Sequence, residues 1–426
     1  MGTDLISRKL FSPIRPWRDA PLLSLLGRDL LLLLSGRGMI ARVGCGMHYF
    51  DHNATTPLSE AAKAAWLDAV ERFPGNPSSP HRVGSRADRA LTDAREELAE
   101  WLQVQPLDLI WTSGATEASN QIFHHYAQSL GEEGRVLVSA IEHPCVLEAA
   151  SWFFGDRVDL IPVSHQGVID LEWLENSLER QRPGLVAVMA ANNETGVLQP
   201  WQRVNELCRR AKVPFFCDAA QWIGKCSPAG LGQCDWLIGC AHKFGGPKGV
   251  GFLKCPSKGR IKPLLHGGPQ EYSRRAGTEN VAGAVALVAA LRERKRLGTD
   301  SEIRRLEGLR DAFEARVLKS LEGTVVVANQ EARLWNTVSL ILPNRDCRFR
   351  WVVKLDRLGF AVSTGSACSS GKEKPSHVLS AMGFQEEAAS RVIRCSSGPD
   401  TKESDWLALA GALERLYREQ LDHAIE

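Results

Sequence analysis

The sequence predicts an α/β fold, in which a mostly parallel seven-stranded sheet flanked by helices precedes a smaller α+β domain. Two observations predict it. From His48 onward, short apolar strand candidates alternate with longer amphipathic stretches, which is typical of a parallel sheet covered on both faces. The segment Gly298–Asp300 then breaks a long helical stretch. Functional residues in such sheets lie outside the carboxyl ends of the strands, so the search for a site starts there.

Seven apolar runs form the predicted sheet. The strand candidates are Asp108–Thr112, Arg135–Ser139, Val158–Pro162, Leu185–Ala190, Pro214–Cys217, Trp236–Gly239 and Gly251–Lys254. The helical stretches between them include Arg86–Leu102, Glu117–Ser129, Cys145–Phe154, Leu171–Arg180 and Val204–Lys212. Later elements are a helix from about Val281 to Leu297, a helix over Ser301–Leu321, strands near Thr324–Ala328 and Thr337–Leu342, and a final helix near Trp406–Glu419. We therefore expect a large domain over 59–299 and a small domain made of 47–58 and 300–426.

Residues 1–46 differ in composition from the rest of the chain. They hold seven Lys/Arg, three acidic residues and the run Leu30 to Leu34, and Arg28 and Asp29 interrupt the apolar stretch. A signal peptide or membrane span is not favoured by that interruption. Three interpretations stay open: an unfolded extension, a transit peptide, and a mis-called start with Met39 or Met47 as the true first residue.

Composition excludes several classes of protein. The chain has 426 residues, 52 Lys+Arg against 50 Asp+Glu, and 44% hydrophobic residues, which fit neither a dedicated nucleic-acid binder nor a disordered chain. The eleven cysteines form no Cys-x-x-Cys pair, so no metal centre is expected. Free thiols in so long a chain indicate a reducing, cytoplasmic setting, and no membrane association is expected.

The segment Trp111–Glu117 passes from a strand end through Gly114 into a helix. Free backbone N–H groups at that helix start, with the hydroxyls of Ser113 and Thr116, would suit a phosphate group. An ordinary Ser or Thr helix cap is the competing interpretation. The segment is not a P-loop, because no Gly-Lys-Ser/Thr follows.

An aspartate follows the apolar run Phe215–Cys217 directly. A carboxylate at that sheet edge needs a cation or hydrogen-bond donors, and a protonated pyridine nitrogen would serve Asp218 well. The alternative is that Asp218 caps the next helix.

A lysine lies on the glycine-rich turn Gly239–Gly249, just after a strand. Lys243 on a rigid turn beside the apolar sheet can have a depressed pKa, which suits a Schiff base with an aldehyde. A solvated loop lysine is the alternative. The glycines do not have the spacing of a dinucleotide-binding fingerprint.

The run Ser363–Gly371 places Cys368 among small residues. Such a run has little to bury and is expected to be mobile, so the thiol could carry a group between two places. A plain Ser/Gly linker with an incidental thiol is the competing interpretation.

In this order, the four segments resemble the cysteine desulfurase family of pyridoxal-phosphate enzymes, within the fold-type I, class V aminotransferase group. Further segments resemble that family: Tyr49–Pro57, Gly75–Ser79 with His81, Ala191–Gly196, His266–Gly268 and Arg275–Asn280. The resemblance runs from about His48 to about Leu416. It implies the large domain of fold-type I transferases, a pyridoxal 5'-phosphate cofactor and a homodimer.

The resemblance also implies roles for individual residues. Lys243 would hold the cofactor and carry protons, Asp218 would keep the pyridine nitrogen protonated, and Gln221 would bind the ring hydroxyl. His143 would stack on the ring and transfer protons. The residues implied around the phosphate are Ala115, Thr116, Cys240, His242 and, from a partner subunit, Thr278.

The implied reaction takes sulfur from L-cysteine. Asn193, which the resemblance also implies as a cofactor contact, and Arg394 would hold the substrate carboxylate. The sequence alone predicts only that Arg394 lies at a strand end. Cys368 would attack the substrate sulfur as a thiolate, keep it as a persulfide and release alanine. A sulfur-acceptor protein, for example an iron–sulfur scaffold, would then take the sulfur.

The sequence departs from the family pattern at a few positions. Cys240 stands where Ser or Thr is usual, and a thiol is the weaker donor to a phosphate. Gly246 also departs, with little consequence, and the chain ends soon after the final helix without the extension that docks a scaffold, so the acceptor is open. A selenocysteine lyase, a pyridoxal-phosphate-dependent aminotransferase relative and an inactive sulfur-trafficking protein are the alternative functions.

Overall fold

The structure is a computed structural model that describes residues 47–256, 261–297, 299–343, 348–364 and 376–422. Residues 47–426 form one compact unit. The expectations for residues 1–46 fall outside the described part of the chain.

A seven-stranded sheet forms the centre of this unit, as predicted. Its strands are β2 Leu109–Thr112, β3 Val136–Ser139, β4 Val158–Ile161, β5 Leu185–Ala187, β6 Phe215–Asp218, β7 Trp236–Cys240 and β8 Gly251–Lys254. They lie in the order β2-β8-β7-β6-β5-β3-β4. All neighbours run parallel except β8, which is antiparallel to both β2 and β7. Most of these strands are buried throughout, because helices cover both faces.

Two helical layers cover the sheet. The helices are α1 Glu60–Arg72, α2 Arg82–Leu102, α3 Ala115–Ala127, α4 Pro144–Phe154, α5 Leu171–Gln181, α6 Trp201–Ala211, α7 Gln270–Ser273 and α8 Val281–Leu297. Helices α3 and α4 pack on one face with Phe123 and Phe216 in their core. Helices α2, α5, α6 and α8 pack on the other face, around Leu98, Leu174 and Trp201. No helix among the described residues has both the length and the apolar composition needed to cross a membrane.

The C-terminal part is an α+β arrangement. Its elements are α9 Asp300–Ser320, β9 Val325–Val326, β10 Thr337–Ile341, α10 Arg348–Arg357, β11 Phe360–Ala361, α11 His377–Ala381, α12 Glu386–Ala389, β12 Val392–Ser396 and α13 Glu403–Asp422. Strand β10 lies between β9 and β12 and is antiparallel to both.

The first described strand, β1 His48–Tyr49, pairs with β11, and Phe50 packs against Trp406 of α13. The predicted division into a large domain over 59–299 and a small domain of 47–58 plus 300–426 stays a proposal, which this pairing supports. Helix α1 was not predicted, because Trp66, Leu67 and Val70 are exposed on it and give no clear amphipathic period.

The short element α7 is a strained turn and not a regular helical turn. Glu271, Tyr272 and Ser273 have φ angles of 48°, 57° and 61°, in the left-handed region that favours glycine. The turn directs the Glu271 carboxylate inward, where Arg95 pairs with it at 2.6 Å and the Trp111 N–H donates to it at 3.1 Å. This buried anchor holds the strained backbone in place.

Replacing the exposed Ser273 by glycine is expected to raise the free energy of unfolding by about 1 kcal/mol, because glycine adopts positive φ without strain. Chemical denaturation checks this. The matched control is Ser85→Gly in the first part of α2, where glycine should destabilise by about 0.5 kcal/mol. A lower stability for S273G than for the unsubstituted chain would contradict the account.

Candidate active site

A cavity of about 460 Å³ lies at the carboxyl ends of the central strands. The predicted site residues that line it are Ala115, Thr116, His143, Asn193, Asp218, Gln221, Cys240, His242 and Lys243. Arg394 and Thr278 are not among the described residues that line it, and Cys368 lies outside the described part of the chain. A larger cleft of about 1000 Å³ is lined by many charged residues, including the ion pair of Glu97 and Arg292. None of the predicted site residues in the described part of the chain lines this cleft.

Lys243 ends a short turn, Ala241–Lys243, that follows β7 directly. Its Nζ donates to the carbonyl oxygens of Asn53 at 2.6 Å and Ala54 at 2.9 Å. The Thr56 side chain donates to the Lys243 carbonyl at 3.0 Å and fixes the turn. The amine is therefore placed by the segment that follows β1, and the interpretation of Lys243 as a solvated loop lysine is wrong for this position.

Asp218 is the last residue of β6 and is buried. Burial raises the pKa of its carboxyl to about 6, although the Ala220 N–H, which donates to Oδ1 at 2.9 Å, and the nearby Lys243 both lower it. Turns rather than a helix follow Asp218, so it does not cap a helix. A buried carboxyl with so few partners fits a cationic ligand group in the cavity.

The N-terminus of α3 opens into the same cavity. Its N-cap is Gly114, which provides no side-chain cap, so the predicted alternative of a Ser or Thr cap is wrong. The Ala115 N–H faces the Cys240 thiol, whose pKa burial raises to about 11. The helix start and its dipole thus offer N–H donors, with Thr116 beside them, to an anion such as phosphate.

His143 caps the N-terminus of α4, where its Nδ1 accepts a hydrogen bond from the Cys145 N–H at 3.1 Å. Because Nδ1 is an acceptor, the neutral ring carries its proton on Nε2. Burial, and then the positive charge of Lys243, lowers the pKa of His143 to about 4. His143 is therefore a neutral base at physiological pH.

Three half-buried histidines are expected to make the cofactor-free protein sensitive to acid. Burial lowers the pKa of His52 to about 3, and those of His143 and His242 to about 4, from an ordinary 6.5. The unfolded chain therefore binds up to three more protons than the folded one below pH 6.5. Stability should fall as the pH drops from 6.5 towards 4, by roughly 4 kcal/mol per pH unit from these groups near pH 5.

Denaturation with urea at several pH values checks this expectation. His52→Gln should reduce the slope by about 1.4 kcal/mol per pH unit, the contribution of one proton. His266→Gln is the control, because His266 is exposed, and it should leave the slope unchanged. A slope that H52Q does not alter would count against the burial argument.

Asn193 brings an unsatisfied polar atom to the cavity, because its buried Oδ1 has no hydrogen-bond partner among the described residues. Arg394 lies behind it and donates to the Asn193 carbonyl at 3.0 Å. Its other nitrogen pairs with Asp51 at 2.7 Å. Arg394 stands in the middle of β12, so its predicted position at a strand end is wrong.

Cys368 lies outside the described residues, whereas the residues on both sides of its segment lie within them. Ser363 and Arg394 exchange backbone hydrogen bonds of 3.0 and 2.7 Å. On the other side, Ser376 donates to the Glu194 carboxylate, and the His377 ring bonds the Glu142 carbonyl at 2.8 Å. Both ends of the segment are thus attached next to residues that line the cavity.

The sequence predicts no role for some residues of the site. Asn53 is the main one, although it lies in the segment Tyr49–Pro57 that resembles the family: it is buried, its carbonyl accepts from Lys243, and its amide nitrogen donates to the Asn193 carbonyl at 3.2 Å. Lys225, four residues after Gln221, is a lysine in a largely apolar stretch, and that contrast could have drawn attention to it. Glu142 is fully buried, and burial together with Asp218 raises its pKa well above the ordinary value.

Comparison with known proteins agrees with this geometry. The family model for aminotransferase class-V matches residues 48–409. A cysteine desulfurase IscS of Dictyoglomus turgidum is 36% identical over 86% of this chain and 94% of its own length. A cysteine desulfurase of Klebsiella pneumoniae is 38% identical over 84% of this chain and 89% of its own length. A solved NifS-like protein superposes with a TM-score of 0.80 at 31% identity, covering 87% of this chain and 99% of that one.

The chain belongs to the class-V aminotransferase family, whose enzymes depend on pyridoxal phosphate. Within that family it is a cysteine desulfurase. The residues present fit the cofactor: an uncapped helix N-terminus for the phosphate, a buried carboxyl for the ring nitrogen, and an amine with which the aldehyde can react. The unsatisfied Asn193 Oδ1 also marks the cavity as a place for a polar ligand.

Proposed function

We propose that this cysteine desulfurase takes the sulfur atom of L-cysteine onto Cys368 and releases L-alanine, with Lys243, His143 and Cys368 as the catalytic residues. Lys243 would hold the cofactor through Nζ and move protons at that atom. His143 would exchange a proton through Nε2, since Nδ1 is engaged by the helix it caps. Bound pyridoxal phosphate supplies an electron sink for the pair released when the carbon–sulfur bond breaks.

The residues proposed to hold the cofactor surround one cavity. Asp218 would accept a hydrogen bond from the ring nitrogen, and Gln221 would donate one to the ring hydroxyl oxygen. The phosphate would take N–H groups at the start of α3, with Thr116 and His242 beside them. Cys240 is turned towards the Ala115 N–H, which supports a weak contact between its thiol and the phosphate.

Asn193 and Arg394 are proposed to bind the substrate carboxylate. Both have a buried polar atom without a partner among the described residues, Oδ1 of Asn193 and Nε of Arg394. Arg394 already shares its charge with Asp51, so an incoming carboxylate would join or displace that carboxylate. The planar guanidinium suits such a carboxylate, because its donors form a fixed fork.

The observation that carries the proposal is the attachment of both ends of the Cys368 segment beside the cavity. Ser363 pairs with Arg394 at one end, and Ser376 bonds Glu194, the neighbour of Asn193, at the other. Twelve residues, 364–375, connect these two points. Because both ends of the segment are attached beside the cavity, the Cys368 thiol would lie within reach of the bound substrate.

Partners and compartment follow as further proposals. Thr278 is exposed and is not among the residues that line its own chain's cavity, which supports its service to a partner subunit's phosphate and hence a homodimer. All eight cysteines among the described residues are free thiols, which supports a reducing, cytoplasmic setting. The sulfur acceptor is proposed to be a protein, with an iron–sulfur scaffold as the first candidate.

Mass spectrometry after incubation with L-cysteine tests the proposal. The peptide that contains Cys368 should gain one sulfur atom, and Cys368→Ala should lose both that mass and the release of alanine. Cys226→Ala is the matched control and should keep both, because Cys226 lies outside the cavity. Alanine release that persists in C368A would favour an aminotransferase relative, and near-exclusive turnover of selenocysteine would favour a lyase.

A further inference from the structure

Lys225 is a buried lysine beside the cavity, and the proposed mechanism does not use it. Its residue is 7% exposed, and its Nζ donates to Asn53 Oδ1 at 2.8 Å and to Gln221 Oε1. Among the described residues no carboxylate forms an ion pair with it. A buried lysine that meets only neutral oxygens contributes little to stability through charge, so its place in the site calls for another explanation.

The two hydrogen bonds of Lys225 decide which end of the Gln221 carboxamide faces which neighbour. With Oε1 held by Lys225, Nε2 donates to the Asn53 carbonyl at 2.9 Å. The same carbonyl oxygen accepts from Lys243 Nζ at 2.6 Å. The donor end of Gln221 therefore lies beside the reacting amine, and the acceptor end points away from it.

We propose that Lys225 is a positioning residue that fixes the orientation of the Gln221 carboxamide, so that its N–H donor faces the cavity beside Lys243. The inference rests on the proposed role of Gln221 at the cofactor's ring oxygen. The two ends of a carboxamide have almost the same shape, so hydrogen-bond partners alone decide its orientation. A carbonyl oxygen turned towards the ring oxygen would repel it, whereas an N–H group stabilises negative charge there.

The effect is selective for Gln221. Asn53 Oδ1 also accepts from Asn336 Nδ2 at 3.1 Å, and its amide nitrogen donates to Thr337 at 2.9 Å. Asn53 therefore stays in place when Lys225 is removed. For Gln221 Oε1, Lys225 is the donor that the described residues provide. Loss of Lys225 thus leaves the Gln221 carboxamide held at one end only, by the Asn53 carbonyl to which its Nε2 donates.

Lys225→Met tests the inference in holoenzyme loaded with pyridoxal phosphate, by titrating the absorbance of the lysine-linked cofactor with pH. Loss of the donor to the ring oxygen should make the linked nitrogen hold its proton more tightly and shift the midpoint upward by about one pH unit. In a Gln221→Ala background, which has lost the donor already, Lys225→Met should produce no further shift. An unchanged midpoint in K225M, or a full additional shift in the double variant, would overturn the inference.

Lys254→Met is the matched control, because Lys254 is also a buried lysine that donates to carbonyl oxygens, at 2.6 Å to Cys234, but its amine bonds no residue that lines the cavity. Its midpoint should equal that of the unsubstituted enzyme. If K225M does not fold, Lys225→Leu, which also removes the donor, should show the same upward shift, and its absence would overturn the inference equally. A failure of the proposed function looks different: the unsubstituted chain would then show no lysine-linked absorbance at all.

Discussion

Replacing Lys243 by alanine is expected to lower the rate of cysteine desulfuration by at least about 10³-fold and to remove the absorbance of lysine-linked cofactor. Lys243 Nζ lies between the carbonyl oxygens of Asn53 and Ala54 at the edge of the cavity. The substitution removes both the attachment point and the group that moves protons. Absorbance spectra after loading with pyridoxal phosphate, together with assays of alanine release, check the two effects separately.

Two other lysines make this prediction sharp. Lys262 is exposed and lies outside the cavity, so Lys262→Ala should leave the spectrum and the rate unchanged. Lys248 lines the cavity, as Lys243 does, but is exposed. If the lysine-linked absorbance survives in K243A and disappears in Lys248→Ala, the cofactor is attached to Lys248, and our assignment to Lys243 is wrong.

The sheet and the two groups that follow its central strands could be predicted from the sequence for one physical reason. Each strand is a short apolar run, and a parallel sheet brings the carboxyl ends of its strands to one edge. Asp218 ends β6 and Lys243 follows β7, and these strands are neighbours. Because the two strands are parallel neighbours, these residues lie at the same cavity. Their proximity can therefore be predicted without any contact between distant segments being known.

The rest of the site depends on contacts that no local pattern encodes. Asn53 reaches Gln221, Lys225 and Lys243 because β1 pairs with β11 and carries the following segment over the sheet edge. Arg394 stands inside β12 and not at the strand end that the sequence predicts, and its partner Asp51 lies more than 300 residues earlier in the chain. Such pairings between distant segments are set by tertiary packing, which overrides local signals.

Replacing Asp218 by asparagine is expected to have two opposite effects, a loss of activity and a gain in the stability of the cofactor-free protein. Activity should fall by about 10²-fold or more, because the amide cannot balance a positive charge on the ring nitrogen. Stability should rise because burial lifts the pKa of the Asp218 carboxyl from 3.8 to about 6. When the pKa of a carboxyl is higher in the folded chain than in the unfolded chain, the free energy of unfolding falls as the pH rises between the two values.

The size and the pH window of the stability gain follow from the same shift. At pH 7 the ionised Asp218 destabilises the folded, cofactor-free chain by about 3 kcal/mol, and below about pH 4 by nothing. Denaturation of cofactor-free Asp218→Asn and unsubstituted protein should therefore show a gap that opens between pH 4 and 6. The histidine titrations are common to both chains and cancel in this difference.

Two further measurements separate this account from a general effect of substitution. Asp108→Asn alters another buried aspartate, one outside the cavity, and should leave the cofactor absorbance unchanged. Loading with pyridoxal phosphate should close the gap, because a protonated ring nitrogen gives the Asp218 carboxylate the cation that the empty cavity lacks. Two results would show that the buried Asp218 carboxylate does not serve to balance the positive charge of a ligand. One is a D218N protein that is no more stable than the unsubstituted protein at pH 7, and the other is a D218N protein that keeps its activity.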